Sequence, residues 1–440
     1  LAARLPWPEF NPISMFKKTI LPNGLRVVTN KLDSTKAVTV LVLVGAGSRY
    51  ETSKINGISH FLEHMFFKGA KNYTSAKEVS EAIDSVGGEF NAFTGKEYAG
   101  YYVKVASEKV DTAFDVLSDM MLHAKFDQKE IEKERGVILE EYNMYQDTPM
   151  YQIGWDYEQL VYGDQPLGWD QIGLKEIIKS VNHEDFVKYK GELYTSDNTV
   201  VAVCGNIGHE EAVKKVEKFF PMEKSDRAYD FARIDPAKMG SGRVHLKEKK
   251  TEQTHLSLGV EAFPETHPDH WVLKVLSVIL GGNMSSRMFL NVREQHGLAY
   301  YIRTSTDDYM DTGLISTTAG VDVKRAEMSV EKIVEQYKLM AAGSGEGEVS
   351  AQELDKAKNF LKGKMVLSLE DSEEYAHLLA KFELLHGEVM TPEEIVQALD
   401  AVTVADVHRV AGELFGDSSR FRLAVIGPYS DASVFEKALG

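Results

Sequence analysis

Cysteine is almost missing from this chain: Cys204 is the single one in 440 residues. One thiol cannot form an internal disulfide. Its setting, the apolar run Thr199-Val-Val-Ala-Val-Cys204, makes it an inert core residue, so nothing demands an oxidising compartment. Positive charge is also in short supply, with 50 Lys and Arg against 67 Asp and Glu and a formal net charge of −17. That balance argues against broad nucleic-acid contact and against docking on an anionic membrane surface. No apolar run approaches the roughly 18 residues of a membrane span. These absences leave a soluble, cytoplasmic protein as the expectation. Residues 1–14 contain no hydrophobic signal core, whereas Met15-Phe-Lys-Lys-Thr-Ile reads as a natural start, so the first fourteen residues are set outside the fold.

What is present is enough apolar material for more than one core. At 440 residues and 43% hydrophobic content the chain exceeds what one core holds, and two domains are expected. Pro22-Asn23-Gly24 between Lys17–Ile20 and Leu25–Val28 predicts a hairpin, because Asn-Gly tolerates positive φ. The β-branched run Val38–Val44 predicts a strand buried on both faces. It ends in Gly45-Ala-Gly47, where a nucleotide loop fails because Tyr50 stands in place of the third glycine. Helical apolar spacing covers 56–68, 75–86, 108–123 and 128–146, with a strand over Tyr98–Val105.

The end of the first half recurs. Asp185 to Leu193 with Gly191, followed by Val200–Gly205 and a helix through Phe219, is matched by Asp406 to Leu414 with Gly412, Phe421–Gly427 and another helix, 221 residues later (406 − 185). The chain therefore reads as a duplication. The polar stretch 226–242, with Pro236 and Gly240-Ser-Gly242, is the expected linker between domains at 15–225 and 243–440.

One cluster carries chemistry. In His60-Phe-Leu-Glu63-His64-Met-Phe-Phe67 the two histidines lie four apart, so on a helix they share a face and can grip one metal ion. Glu63, beside them, can take a proton from a metal-activated water. Most His pairs at this spacing are ordinary polar positions of an amphipathic helix. Here the apolar neighbours make an unpaired carboxylate expensive, and H-x-x-E-H is the inverted zinc-protease motif. A third ligand is needed. The run Glu130 to Glu141 offers Glu134 and Glu141 on one helical stripe and Glu140 about 100° away, and spacing alone leaves Glu140 and Glu141 open.

With these residues in view the chain resembles the M16 metallopeptidases, the group of pitrilysin, insulin-degrading enzyme and mitochondrial processing peptidase. The resemblance rests on Pro22-Asn-Gly-Leu25, Gly57-Ile-Ser-His60-Phe-Leu-Glu63-His64-Met, Gly87-Gly-Glu-Phe-Asn91-Ala-Phe-Thr94, Glu134-Arg-x-Val-Ile-x-x-Glu141, and Arg293 with Gly297-Leu-Ala-Tyr300. It implies an α+β fold of two duplicated domains, each a mostly antiparallel sheet with helices packed on it. It implies zinc, one ion per chain, bound by His60, His64 and Glu141, with Glu63 as general base and Glu134 as a supporting carboxylate. It further implies that Asn91, Ala92, Phe93 and Thr94 form an edge strand on which a peptide lies, that Arg293 binds substrate backbone, and that Tyr300 meets the developing oxyanion. From the sequence alone Tyr300 reads as a core aromatic and Asn91–Thr94 as a structural strand. At the same offset His60 falls on Gly281, so the second domain repeats the fold without the metal site. A chain that holds both parts resembles the homodimeric bacterial form, in which two copies close as a clamshell. His123, His209, His267 and His270 are expected to be structural or solvated. The function expected is zinc-dependent endopeptidase action on extended or unfolded peptides inside a closed chamber. The rival is a noncatalytic peptide-binding or scaffold subunit of a larger assembly.

Overall fold

A computed structural model describes residues 16–225 and 230–440. Residues 1–15, and 226–229 of the expected linker, lie outside the described residues. The chain forms two compact units that are not contiguous in sequence. One runs to Leu139 and adds Gln171–Phe231 and Val366–Ile395, and the other comprises Glu140–Asp170, Ala232–Met365 and Val396–Gly440.

The first unit is built on six strands: β1 (Lys17–Ile20), β2 (Arg26–Lys31), β3 (Ala37–Val44), β4 (Glu89–Thr94), β5 (Ala99–Ala106) and β6 (Thr199–Gly205). Their spatial order is β1-β2-β6-β3-β5-β4, antiparallel throughout except for the parallel β2–β6 pair. The opening hairpin is as expected: Gly24 takes a φ of 91°, and the Asn23 side chain accepts a hydrogen bond from the Leu25 amide at 3.1 Å. From Val38 onward β3 is wholly buried, because helices cover both faces of its sheet.

The second unit contains β7 (Val244–Glu248), β8 (Gln253–Ala262), β9 (Ala299–Asp308), β10 (Gly313–Asp322) and β11 (Arg422–Gly427), in the order β7-β11-β8-β10-β9. Only β7–β11 is parallel. Setting β2, β6, β3, β5 and β4 beside β7, β11, β8, β10 and β9 gives one topology twice, so the sequence repeat is a structural one. Its helices even start alike, with capping boxes at Asn182/Asp185 and Thr403/Asp406.

Each sheet takes one covering helix from the far side of the linker in sequence. The helix Ser372–His386 lays Tyr375, Ala376, Leu379 and Ala380 on Val28, Leu41, Leu43, Val200, Ala202 and Cys204 of the first unit. Lys104 meets Asp371 at 2.8 Å and Lys18 meets Glu383 at 2.7 Å, pinning both ends of that helix. Reciprocally, Pro149–Tyr162 buries Ile153, Tyr157, Val161 and Tyr162 against Leu314, Ala424 and Ile426 of the second unit. An apolar sheet face needs such a cover, and the helix that supplies it need not be the nearest in sequence. Cys204 is fully buried in this core, and burial pushes its thiol up to about 12. Among the described residues no helix is long and apolar enough to cross a membrane.

Candidate metal and catalytic site

The helix Ile58–Phe66 carries the polar cluster and shows why it sits in an apolar run. Ile58, Phe61, Leu62, Met65 and Phe66 form the buried face, with the Phe61 ring 5.0 Å from Phe186 and the Phe66 ring 5.0 Å from Tyr101. His60, Glu63 and His64 occupy the opposite, half-buried face. The helix starts at Gly57, whose φ of 92° places it where a Cβ would lie 2.5 Å from the Ile172 carbonyl oxygen. Its first turn is anchored by Glu51, a buried carboxylate that accepts hydrogen bonds from the Gly57 amide (2.8 Å), the Ser59 amide (2.9 Å) and Asn56 Nδ2 (3.0 Å). Negative charge at a helix N-terminus is favourable. Burial nonetheless outweighs these bonds and pushes the Glu51 carboxyl above its ordinary value.

A second helix, Gln128–Asp147, presents the carboxylates, and Ile131, Glu134 and Ile138 form its buried stripe. Ligand atoms of His60, His64 and Glu141 lie within 4.8 Å of one another, and among the described residues this is the group able to hold a metal ion. Two imidazoles and a carboxylate are a donor set suited to zinc, with a coordination position to spare. Glu140, the alternative left open by spacing, is exposed. Glu134 Oε1 lies 2.8 Å from His64 Nδ1, and Glu134 Oε2 lies 2.7 Å from Lys68 Nζ. Burial raises the Glu134 carboxyl, but the bonds from His64 and Lys68 overcome it and hold the group below the usual carboxylate range.

The expected peptide strand is the edge strand β4, which pairs with β5 and has no strand on its other side among the described residues. Its residues alternate between faces, so Phe90 meets Phe67, the C-cap of the ligand helix, at 5.6 Å while Phe93 turns to His377 at 5.2 Å. Thr94, on the Phe90 side, donates from Oγ1 to Glu63 Oε2 at 2.6 Å, and its carbonyl accepts from Gln171 Nε2 at 2.8 Å. Gly88, just before β4, packs so closely that a Cβ would lie 2.8 Å from side chains of Ile83 and Val105.

Arg293 and Tyr300 belong to the second unit. Arg293 lies on a seven-residue π-helix, Phe289–Gln295, with its guanidinium 4.6 Å from the centre of the Phe289 ring. Tyr300 is on β9, the edge strand equivalent to β4, and is 74% exposed. It is not the core aromatic that Leu298–Ile302 alone would predict, since the buried members of that run are Leu298, Ala299 and Ile302. The structural reading of His209 is supported by its ring, which bridges Thr19 and Thr29 at 2.9 and 2.8 Å.

Sequence reasoning did not find Glu51, the Thr94 contact to Glu63, or the buried pair of Arg49 and Glu97 at 2.6 Å, with Arg49 also 4.1 Å from the centre of the Phe231 ring. The one available signal was a pair of charges, Arg49 and Glu51, directly after a buried strand.

One topology used twice, with an H-x-x-E-H helix and a second helix that carries Glu134 and Glu141, defines a class of metal-dependent peptidase, and the comparisons with known proteins agree. The family model described as insulinase, peptidase family M16, matches residues 26–160, and the peptidase M16 inactive domain matches 180–361. The chain belongs to the M16 peptidase family. It is 37% identical over 415 residues to the uncharacterized zinc protease YmxG of Bacillus subtilis, covering 94% of this chain and 98% of that one. To the uncharacterized zinc protease SCO5738 of Streptomyces coelicolor it is 36% identical, covering 95% and 91%. Its fold is that of a Helicobacter pylori protease, with a TM-score of 0.87 at 24% identity over 94% of this chain and all of the other. A structure titled as the peptidase M16 inactive domain from Pseudomonas fluorescens gives a TM-score of 0.86 at 16% identity, over 94% and 98%.

Proposed function

We propose that this chain is a zinc-dependent endopeptidase that cuts extended or unfolded peptides, with one ion per chain held by His60, His64 and Glu141. The observation that carries the reading is the convergence of those three ligand atoms within 4.8 Å beside Glu63. Bound there, zinc supplies Lewis-acid polarisation of a water molecule and of the scissile carbonyl. Glu63 accepts the proton of the attacking water and delivers it to the leaving amine as the C–N bond breaks. Glu134 holds His64 through Nδ1, which leaves the lone pair of Nε2 for the ion.

The peptide adds to β4 as an extra strand, so main-chain hydrogen bonds supply affinity with little demand on sequence. A folded protein has no spare strand to offer and is a poor substrate. Arg293 and the exposed Tyr300 of the second unit are the proposed contacts to substrate backbone and developing oxyanion. Since one chain carries both sets of residues, the working form proposed is a homodimer enclosing the peptide.

The test is hydrolysis of short unfolded peptides by zinc-loaded and chelator-treated protein, with a folded protein as control. Turnover of the peptides alone, abolished by chelation and restored by zinc, is expected. Equal rates with and without the chelator would remove the proposal.

A further inference from the structure

The geometry points to Thr94 as the residue that positions the general base. This rests on Glu63 being that base. The Thr94 hydroxyl donates to Glu63 Oε2 at 2.6 Å, a length typical of a charge-assisted bond between a hydroxyl and a carboxylate. The contact joins the last residue of β4 to the middle of the ligand helix. A β-branched side chain is stiff about χ1, so the threonine hydroxyl is held by its backbone rather than by chance rotation. That backbone is itself held, by pairing with Ala99 of β5 and by the Gln171 side chain on the Thr94 carbonyl.

Two consequences follow for the chemistry. With Oε2 engaged by Thr94, Oε1 is the oxygen that receives the proton of the attacking water. Thr94 also lies on the strand whose open edge would receive the peptide. The backbone that would receive the peptide is thus the one that carries the hydroxyl holding the carboxylate. The base is therefore oriented through the substrate strand, and loss of the hydroxyl acts on turnover rather than on substrate affinity.

The experiment compares zinc-loaded wild type, Thr94→Val, which keeps the shape and branching, and Thr94→Ser, which keeps the hydroxyl. Thr94→Val should lower kcat by about tenfold or more, within the roughly 10²–10⁴-fold worth of general-base catalysis. KM should stay within about twofold and the zinc content should be unchanged, while Thr94→Ser recovers most of kcat. Wild-type kcat in Thr94→Val, equal impairment of both variants, a loss confined to KM, or loss of zinc would each overturn the assignment. An inactive wild type or an active Glu63→Gln would instead strike the reading of Glu63. In that event crystal structures decide the positioning claim separately: one Glu63 rotamer in wild type and a displaced or split carboxylate in Thr94→Val supports it, and the same rotamer in both overturns it.

Discussion

Glu134 Oε1 stands 2.8 Å from His64 Nδ1, with Lys68 2.7 Å from the other oxygen of the same carboxylate. This ties the two helices that carry the proposed ligands through a carboxylate that need not itself touch the ion. An imidazole held at one nitrogen presents the other in a fixed tautomer and direction. Glu134→Ala is therefore expected to weaken zinc binding by about 10–100-fold, the usual effect of removing such a partner. Chelator competition on the folded variant measures it, and undiminished affinity would show that His64 is oriented by other contacts.

Replacing Glu63 by Gln keeps its size and removes its basicity. The variant should bind zinc as wild type does and lose about 10²-fold or more in kcat. Parallel zinc titration and peptide hydrolysis separate the two effects. Retained hydrolysis would move the base elsewhere.

A buried ion pair lies between β3 and the ligand helix in sequence and reaches the turn after β4. Arg49 and Glu97 are both almost fully enclosed and meet at 2.6 Å. Arg49→Met removes the guanidinium from the buried Glu97 carboxylate and is expected to cost about 3–5 kcal/mol in urea unfolding. The double replacement Arg49→Met with Glu97→Leu removes both charges and should recover most of that loss. A double variant as unstable as the single one would mean that shape, not charge, matters there.

At the other face of the first sheet, Asp371 caps the helix Ser372–His386 by accepting from the Glu373 amide at 2.9 Å and also binds Lys104 Nζ at 2.8 Å. Burial raises this carboxyl, but the Lys104 bond and the Glu373 amide outweigh it and the group titrates below its ordinary value. A depressed carboxyl stabilises the fold above its unfolded pKa and loses that contribution as pH falls through the folded value. Asp371→Ala should thus cost about 1 kcal/mol at neutral pH, as loss of a helix cap does. Its deficit against wild type should shrink below about pH 4. Thermal melts at neutral and acid pH test this, and a deficit independent of pH would contradict the assignment.

Much of this is legible in the sequence, for physical reasons that also set the limit. Val38–Val44 announced a two-sided strand because a near-continuous run of Val and Leu suits cover on both faces. His60 and His64 announced a shared face because helical spacing leaves no alternative. The recurrence of Asp185–Gly205 at Asp406–Gly427 announced one topology used twice. The covering helices were not legible, because the apolar stripe of Ser372–His386 states that the helix must be buried and not against which sheet. Nor were Glu51, Thr94 or the Arg49–Glu97 pair, whose roles come from side chains meeting across long separations in sequence. Tyr300 sits in a run whose composition favours burial, and its exposure follows from a place on an edge strand that composition does not encode.

The central claim is that His60, His64 and Glu141 together hold one catalytic zinc. Anomalous X-ray diffraction recorded on both sides of the zinc absorption edge from zinc-loaded crystals tests it most directly. The account predicts one strong anomalous peak per chain, bounded by both imidazoles and the Glu141 carboxylate. A peak elsewhere, or no peak between those three side chains in crystals shown to contain zinc, would contradict it.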